Sequence, residues 1–322
     1  MTIEEFGHTV NEYSLRGEPF LFLVDFEMLK PEVYLLSNLP DGIFYNVKGH
    51  TNATSRRSAH SSLTFEKKPI ALSDYQAKFE YVQSGLARGD SFLVNLTIQT
   101  PIETNATIAE LFAASRAKYK LLVENEFVVF SPETFVRIED GIIWSYPMKG
   151  TIDASEQNAL EKILADEKER AEHITIVDLI RNDLSAVAKD VKVTRFRYVD
   201  HLHTNSKDLF QVSSEIQGIL PEDYRRRLGD ILISLLPAGS VSGAPKPKTL
   251  EIIRAAEGEN RGYYTGVFGV FDGESLDSAV MIRYIEQRGK TLYYRSGGGI
   301  TFQSDLKKEY QEAIDKVYVP ID

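Results

Sequence analysis

The chain has 322 residues, 43% hydrophobic and 26% charged, a balance that specifies a folded globular protein with one large core or two joined lobes. It contains no cysteine, which excludes disulfides, thiolate zinc sites and cysteine nucleophiles. Its formal charge is −10, with 37 Lys and Arg against 47 Asp and Glu and no long basic run, which argues against nucleic-acid binding but still allows a small anion in a local basic pocket. Glu4 and Glu5 interrupt any signal-peptide start. Strands are expected across 19–48 (FLFLVDF, EVYLL and IFYNV, with a turn at Pro40-Asp41-Gly42), followed by a polar loop or linker over 51–69. A helix runs from Leu72 to about Arg88, stopped by Gly89-Asp90, and SFLVNLTIQT reads as a strand. Glu139-Asp140-Gly141 turns a hairpin between ETFVRI and IIWSY. A long helix over 155–180 follows, with apolar Leu160, Ile163, Ala171, Ile174 and Val177, then strands near 191–198 and 210–219. After a helix at 222–236 comes a Gly/Ser/Ala/Pro loop at 237–247, strands near 263–272, 278–285 and 291–296, and a final helix from Asp305 to Val317. Apolar runs such as Phe20 to Val24 and Ile231 to Leu236 are too short to cross a bilayer, so a cytoplasmic protein without membrane association is expected. The absence of a regular βαβ rhythm points to α+β with antiparallel sheets, a short strand-rich segment (1–70) packing on a larger domain (71–322).

Three groupings carry chemistry. Glu133 and Lys149 lie near the open ends of the hairpin. A two-residue turn sets 139 opposite 142 and so 133 opposite 148, one residue short of Lys149, an offset that a bulge at Pro147 corrects. The pair reads either as a cross-strand ion pair or as an acid and an amine facing one ligand. On the final helix, Glu309, Glu312 and Lys316 follow i, i+3, i+7 beside the apolar stripe Leu306, Tyr310, Ala313 and Val317. They read either as part of a hard-cation site or as an ordinary Glu312–Lys316 surface pair. Glu169 and Glu172 lie on the long helix, where surface solubility explains them equally well, and Asp178 is expected near the buried stripe with Arg181 as partner. Third, the loop Pro237-Ala-Gly-Ser-Val-Ser-Gly-Ala-Pro-Lys246 offers close backbone approach and the hydroxyls of Ser240 and Ser242 to an anion, though it lacks the P-loop ending. Gly297-Gly298-Gly299 is a second such cluster.

In this order the segments GDSFLVNLT, SPE, MKGT, AEHITIVDLIRNDL, PAGSVSGAPK, RGYYTG, MIR, GGGI and EYQEAIDK resemble the chorismate-utilising enzymes, over about residues 72 to 318. The resemblance implies a four-layer α/β/β/α sandwich with chorismate and Mg²⁺ in a cleft, the domain at 71–322 being the chorismate-binding one. It implies Glu172 and Glu312 as metal ligands with Glu309 and Glu169 nearby. Arg283, Tyr264, Lys316, Thr151, Ser240, Ser242, Gly243, Gly298 and Gly299 would contact the substrate. Family members that add water at C2 carry a lysine base where this chain has Leu93, and the aminodeoxychorismate-forming branch carries lysine where the anthranilate-forming branch has alanine; here that residue is Lys149. The resemblance therefore implies amination of chorismate, with Lys149 as nucleophile, its pKa depressed, and Glu133 as the acid for the departing hydroxyl. Without cysteine, ammonia would come from a separate glutamine amidotransferase subunit, and a separate lyase would act downstream. The chain departs from the family at Gln211, where relatives have histidine, at Ser242, which leans toward the anthranilate branch, and in lacking the Leu-Leu-Glu-Ser tryptophan-site motif.

Overall fold

A computed structural model describes residues 1–53, 63–203 and 208–321. The stretch 54–62, within the expected polar loop, lies outside the described residues. The apolar and aromatic runs read as strands form two antiparallel sheets, each nine-stranded among the described residues. In the first, the order is Met148–Asp153, Asp208–Ile219, Ile142–Ser145, Thr134–Glu139, Leu276–Val280, Val267–Phe271, Phe20–Val24 and Glu32–Leu35, with Lys189–His203 also pairing Asp208–Ile219. In the second, it is Gly243–Ala244, Leu93–Thr104, Thr291–Ile300, Tyr284–Arg288, Phe127–Ser131, Tyr119–Val123, Ile43–Val47 and His50–Thr51, with Phe65–Lys67 on Leu93–Thr104. Strands of residues 20–35 thus enter the first sheet, and those of 43–67 enter the second.

Period-two alternation gives each sheet two apolar faces. Leu21 and Leu23 of the first sheet meet Leu121, Phe127 and Val129 of the second in the inner core. The outer face of the first sheet, with Phe20 and Phe22, packs Phe6 and Val10 of the first helix and Ile231 and Leu232 further on. The outer face of the second, with Val94, Leu96 and Ile98, packs Tyr75, Phe79, Ile252 and Ala313. Helix, sheet, sheet and helix therefore stack as four layers, a mixed α/β fold of two antiparallel sheets.

Three helices were not expected from periodicity, and each has a local signal. Ile3–Arg16 opens on a Thr2/Glu5 capping box and closes on Gly17 in the left-handed region. Ile108–Ala114 opens on a second capping box, Thr107/Glu110. Lys246–Glu257 carries proline in its first turn and ends at Gly258. The helix expected over 155–180 is two helices, Ala159–Ala165 and Glu167–Ser185, because Asp166 ends the first in extended backbone and caps the second by accepting from Glu169 N. The 222–236 helix begins as a 3-10 turn, Tyr224–Arg227, before Leu228–Leu235.

The hairpin corrects the register argument. Glu139–Ile142, Ile138–Ile143 and Arg137–Trp144 pair as expected, and then the ladder stops. Pro147 cannot donate to it, and beyond Tyr146 the chain keeps only its other partner, Asp208–Ile219, with Met148 opposite Ser213. Glu133 and Lys149 are therefore not cross-strand neighbours. Asp178 is not buried either: it lies 3.7 Å from Arg181 with both side chains about half exposed (60% and 49%), an ordinary surface pair.

Candidate active site

A cavity of about 150 Å³ opens where the two sheets meet. The second sheet contributes Leu93 and Asn95 from one strand and Gly297–Gly299 from its neighbour. Met148 and Lys149 enter from the first sheet, with Glu133 just before strand Thr134–Glu139. Helix Glu167–Ser185 brings Glu172, Thr175 and Ile176. Ser240, Ser242 and Gly243 come from a loop that folds into one helical turn, Gly239–Ser242, and Tyr264, Arg283 and Lys316 complete the lining.

Two ammonium–carboxylate pairs dominate the electrostatics. Lys149 Nζ is 2.7 Å from Glu172 Oε2, and the two side chains are 22% and 7% exposed. Lys316 Nζ is 2.7 Å from Glu312 Oε1 and donates to the Gly297 carbonyl at 3.0 Å. A Cβ at Gly298 would stand 3.4 Å from Glu312 Oε1, 3.5 Å from Lys316 Nζ and 3.8 Å from Glu309 Oε2, so glycine keeps this corner open. Burial pushes the Lys149 pKa down, but Glu172, Glu312 and Glu169 outweigh it and hold the amine above its ordinary value. This corrects the expectation of a depressed amine. Burial pushes Lys316 down, with Glu312 opposing and Arg283 and Lys149 adding to the fall.

Glu133 accepts a short hydrogen bond from Ser240 Oγ. Desolvation pushes its carboxyl above the usual range, more than Ser240, Arg283 and Lys316 pull it back. A carboxyl whose pKa is raised by burial in a cavity is a candidate for general acid work. Arg283 sits in left-handed backbone (φ 54) with its guanidinium 5.0 Å above the Tyr318 ring and its buried Nε without a hydrogen-bond partner among the described residues. Arg283 thus sets a buried cation in the cavity lining, a group able to pair with an anionic ligand. Tyr264 is kept protonated, its pKa pushed up to about 12 by burial. The Ser242 hydroxyl is committed to the Ala238 carbonyl at 2.9 Å.

Four carboxylates offer hard oxygen donors. Glu169 Oε2 is buried without a hydrogen-bond partner among the described residues, and Glu309 is buried on the final helix beside Glu312. Among the described residues no three such groups stand close enough to cage an ion as they are. Desolvation raises the Glu169 pKa, Lys149 opposes it, and Glu172 and Glu312 raise it further, the mutual repulsion a shared cation relieves. These four carboxylates are the residues that could supply oxygen donors to a hard divalent ion, with Glu172 and Glu312 paired to lysines as they stand.

The structure brings Lys149, Glu133, Glu172, Ser240, Ser242, Gly243, Tyr264, Arg283, Gly298, Gly299 and Lys316 to one cavity. It does not bring Thr151, which is exposed and paired with Gln211 across the strand ladder, and Glu169, Glu309 and Glu312 do not line the cavity. Asn95 went unread, although period two from Leu93 sets both on one strand face. His173 also went unread. Its Nε2 is 2.7 Å from Ser214 Oγ, and burial, with Arg197 and Lys149, lowers its pKa to about 4.

The chain matches the chorismate binding enzyme family over residues 36–322. It is 49% identical, over 100% of both chains, to a PabA-like protein of Pasteurella multocida. It is 34% identical over 287 residues to anthranilate synthase component 1 of Acetivibrio thermocellus, covering 80% of this chain and 56% of that one. It is 31% identical over 265 residues to aminodeoxychorismate synthase component 1 of Bacillus subtilis, covering 78% and 55%. The chain thus spans little more than half the length of those two synthases. In fold it is similar to the menaquinone-specific isochorismate synthase of Escherichia coli, with a TM-score of 0.74 at 18% identity over 97% of this chain and 80% of that one. With the family model matching residues 36–322, the chain belongs to the chorismate binding enzyme family.

Proposed function

We propose that this chain is component I of an aminodeoxychorismate synthase, converting chorismate and ammonia to 4-amino-4-deoxychorismate for para-aminobenzoate and folate biosynthesis in the cytoplasm. The carrying observation is that Lys149 and Glu133, the latter with its carboxyl pKa raised by burial, line one cavity together with Leu93, the position at which the resemblance places a lysine in members that add water. In this reading the Lys149 ammonium, paired with Glu172 in the resting site, first releases a proton to solvent and attacks C2 as the neutral amine. Glu133 gives its proton to the leaving C4 hydroxyl, ammonia adds at C4 as Lys149 is expelled, and the free amine takes up a proton again. Arg283 and Lys316 orient the substrate carboxylates, and Tyr264 walls the site. Glu172 and Glu312, with Glu169 and Glu309 beside them, would hold Mg²⁺, whose charge would offset that of a substrate carboxylate.

Both branches of amination chemistry occur among the relatives. An anthranilate-forming activity is the second reading, favoured by Ser242 and opposed by Lys149. Incubating the protein with chorismate, Mg²⁺ and ammonium should yield a product with the mass of aminodeoxychorismate; anthranilate in its place overturns the assignment. Because the chain has no cysteine, glutamine should replace ammonium only when a glutamine amidotransferase subunit is added. Glutamine-driven turnover by the purified chain alone would refute the two-subunit scheme.

Metal dependence follows from the carboxylate set. Excess EDTA should abolish turnover, and Glu312→Gln, with one fewer anionic donor, should need roughly tenfold more Mg²⁺ for half-maximal rate. Turnover that persists in EDTA would count against the metal site.

A further inference from the structure

Behind the catalytic cavity lies a second chamber of about 20 Å³, enough for one water, which needs roughly 10–15 Å³. Glu133 and Ser240 border both chambers, and Thr134, Ser145, Asp183 and Gly239 complete the polar side of the smaller one. Asp183 Oδ2 is 3.0 Å from Lys246 Nζ, and both side chains are about one-fifth exposed, at 20% and 19%, so this pair reaches solvent. A Cβ at Gly239 would come within 2.7 Å of Asp183 Oδ2, so the missing side chain at 239 lets the carboxylate stand against the loop that carries Ser240.

Glu133 in the proposed reaction surrenders a proton in each cycle and must regain it. Substrate seated in the main cavity would cover one approach to the carboxyl, and the small chamber, apolar over much of its wall but bordered by Glu133, Asp183 and Ser145, is a second approach. We propose that Asp183 returns protons to Glu133 through a single water held in this chamber, forming the solvent-side end of a two-carboxyl relay. The inference rests on the reading of Glu133 as the acid. After C4–O cleavage Glu133 is a carboxylate; the water gives it a proton and takes one from the Asp183 carboxyl, and Asp183 regains its proton from bulk solvent. One proton enters from solvent per turnover, with no change in oxidation state. Desolvation raises the Asp183 pKa, with Lys246 the opposing charge, so this carboxyl keeps a proton to higher pH than a surface aspartate does. Arg283 and Lys316 are the charged groups facing Glu133.

The test compares Asp183→Asn, Ser145→Val and Glu133→Gln in the ammonium-dependent assay. Asp183→Asn should lower kcat about tenfold or more while KM for chorismate stays within about twofold, with a larger solvent deuterium isotope effect and a shifted acid limb of the pH profile. Formate should restore part of the rate to Asp183→Ala. Ser145→Val fills the chamber while leaving the Asp183–Lys246 pair intact, so it should reproduce the kcat loss even if Asp183→Asn folds poorly. Wild-type kcat, isotope effect and pH profile in Asp183→Asn, or unchanged kcat in a stably folded Ser145→Val, would overturn the relay while Glu133→Gln remained inactive. An active Glu133→Gln enzyme would overturn the acid itself.

Discussion

Lys149→Arg should retain the melting temperature of the parent protein and lose turnover by ~10³-fold or more, the scale on which a nucleophile is missed. Arginine preserves the charge facing Glu172, now 2.7 Å from the amine, but its guanidinium does not lose a proton and cannot attack carbon. Lys149→Ala should be equally inactive and also less stable, by roughly 1–3 kcal/mol, because the buried Glu172 loses the cation beside it. Together the two variants separate chemistry from charge pairing. If Lys149 is only a structural counter-ion, arginine substitutes well and alanine costs stability without a matching loss of rate. Turnover and thermal unfolding measured on both proteins decide the matter, and an active arginine variant would reopen the anthranilate reading.

For Glu133→Gln the expected result is a rate loss of ~10²–10⁴-fold together with a gain in stability at neutral and alkaline pH. The folded pKa of Glu133 lies above the unfolded value of 4.5, chiefly through desolvation. The folded state therefore binds this proton more tightly than the unfolded state does. Its contribution is fully present below pH 4.5 and is lost as pH rises through the folded pKa. Glutamine carries no charge to desolvate and can still accept from Ser240. Its melting temperature should exceed that of the parent at pH 8, and the two should converge near pH 4.5. A glutamine variant less stable than the parent at pH 8 would mean that Glu133 is held as a stabilised carboxylate, unsuited to give up a proton.

The strands and their faces were legible because period-two alternation is written locally, as in Ile43–Val47 and Leu93–Thr104. Of the helices that escaped notice, Ile108–Ala114 is short, Lys246–Glu257 opens on proline, and Ile3–Arg16 buries few large apolar side chains, so caps mark them better than stripes. Thr2 and Glu5, or Thr107 and Glu110, mark a helix start that hydrophobic spacing alone passes over. The site residues were legible as motifs, but their partners were not. Nothing local says that Lys149 faces Glu172, since that pairing depends on where the chain goes after Pro147 and on how helix Glu167–Ser185 crosses the sheet. Asp183 illustrates the same limit. Its neighbours in sequence suggest a structural helix end, and only the packing of the Gly239–Ser242 turn against it reveals a chamber shared with Glu133.

The cavity draws Leu93, Gly297–Gly299 and Lys316 from one side of the sandwich and Glu133, Lys149 and Glu172 from the other. A molecule held there is gripped by both halves at once and acts as a rivet across the seam. Part of the energy of binding is then spent on the spacing and tilt of one slab relative to its neighbour, not on contacts alone. In the proposed reaction the acid Glu133 comes from one slab and the carboxylate-binding Lys316 from the other, so a slip of about an ångström between slabs would separate proton donor from leaving group. Packing far from the chemistry, between Leu21 and Leu23 and the Phe127 strand, thereby becomes part of the machinery that sets the alignment.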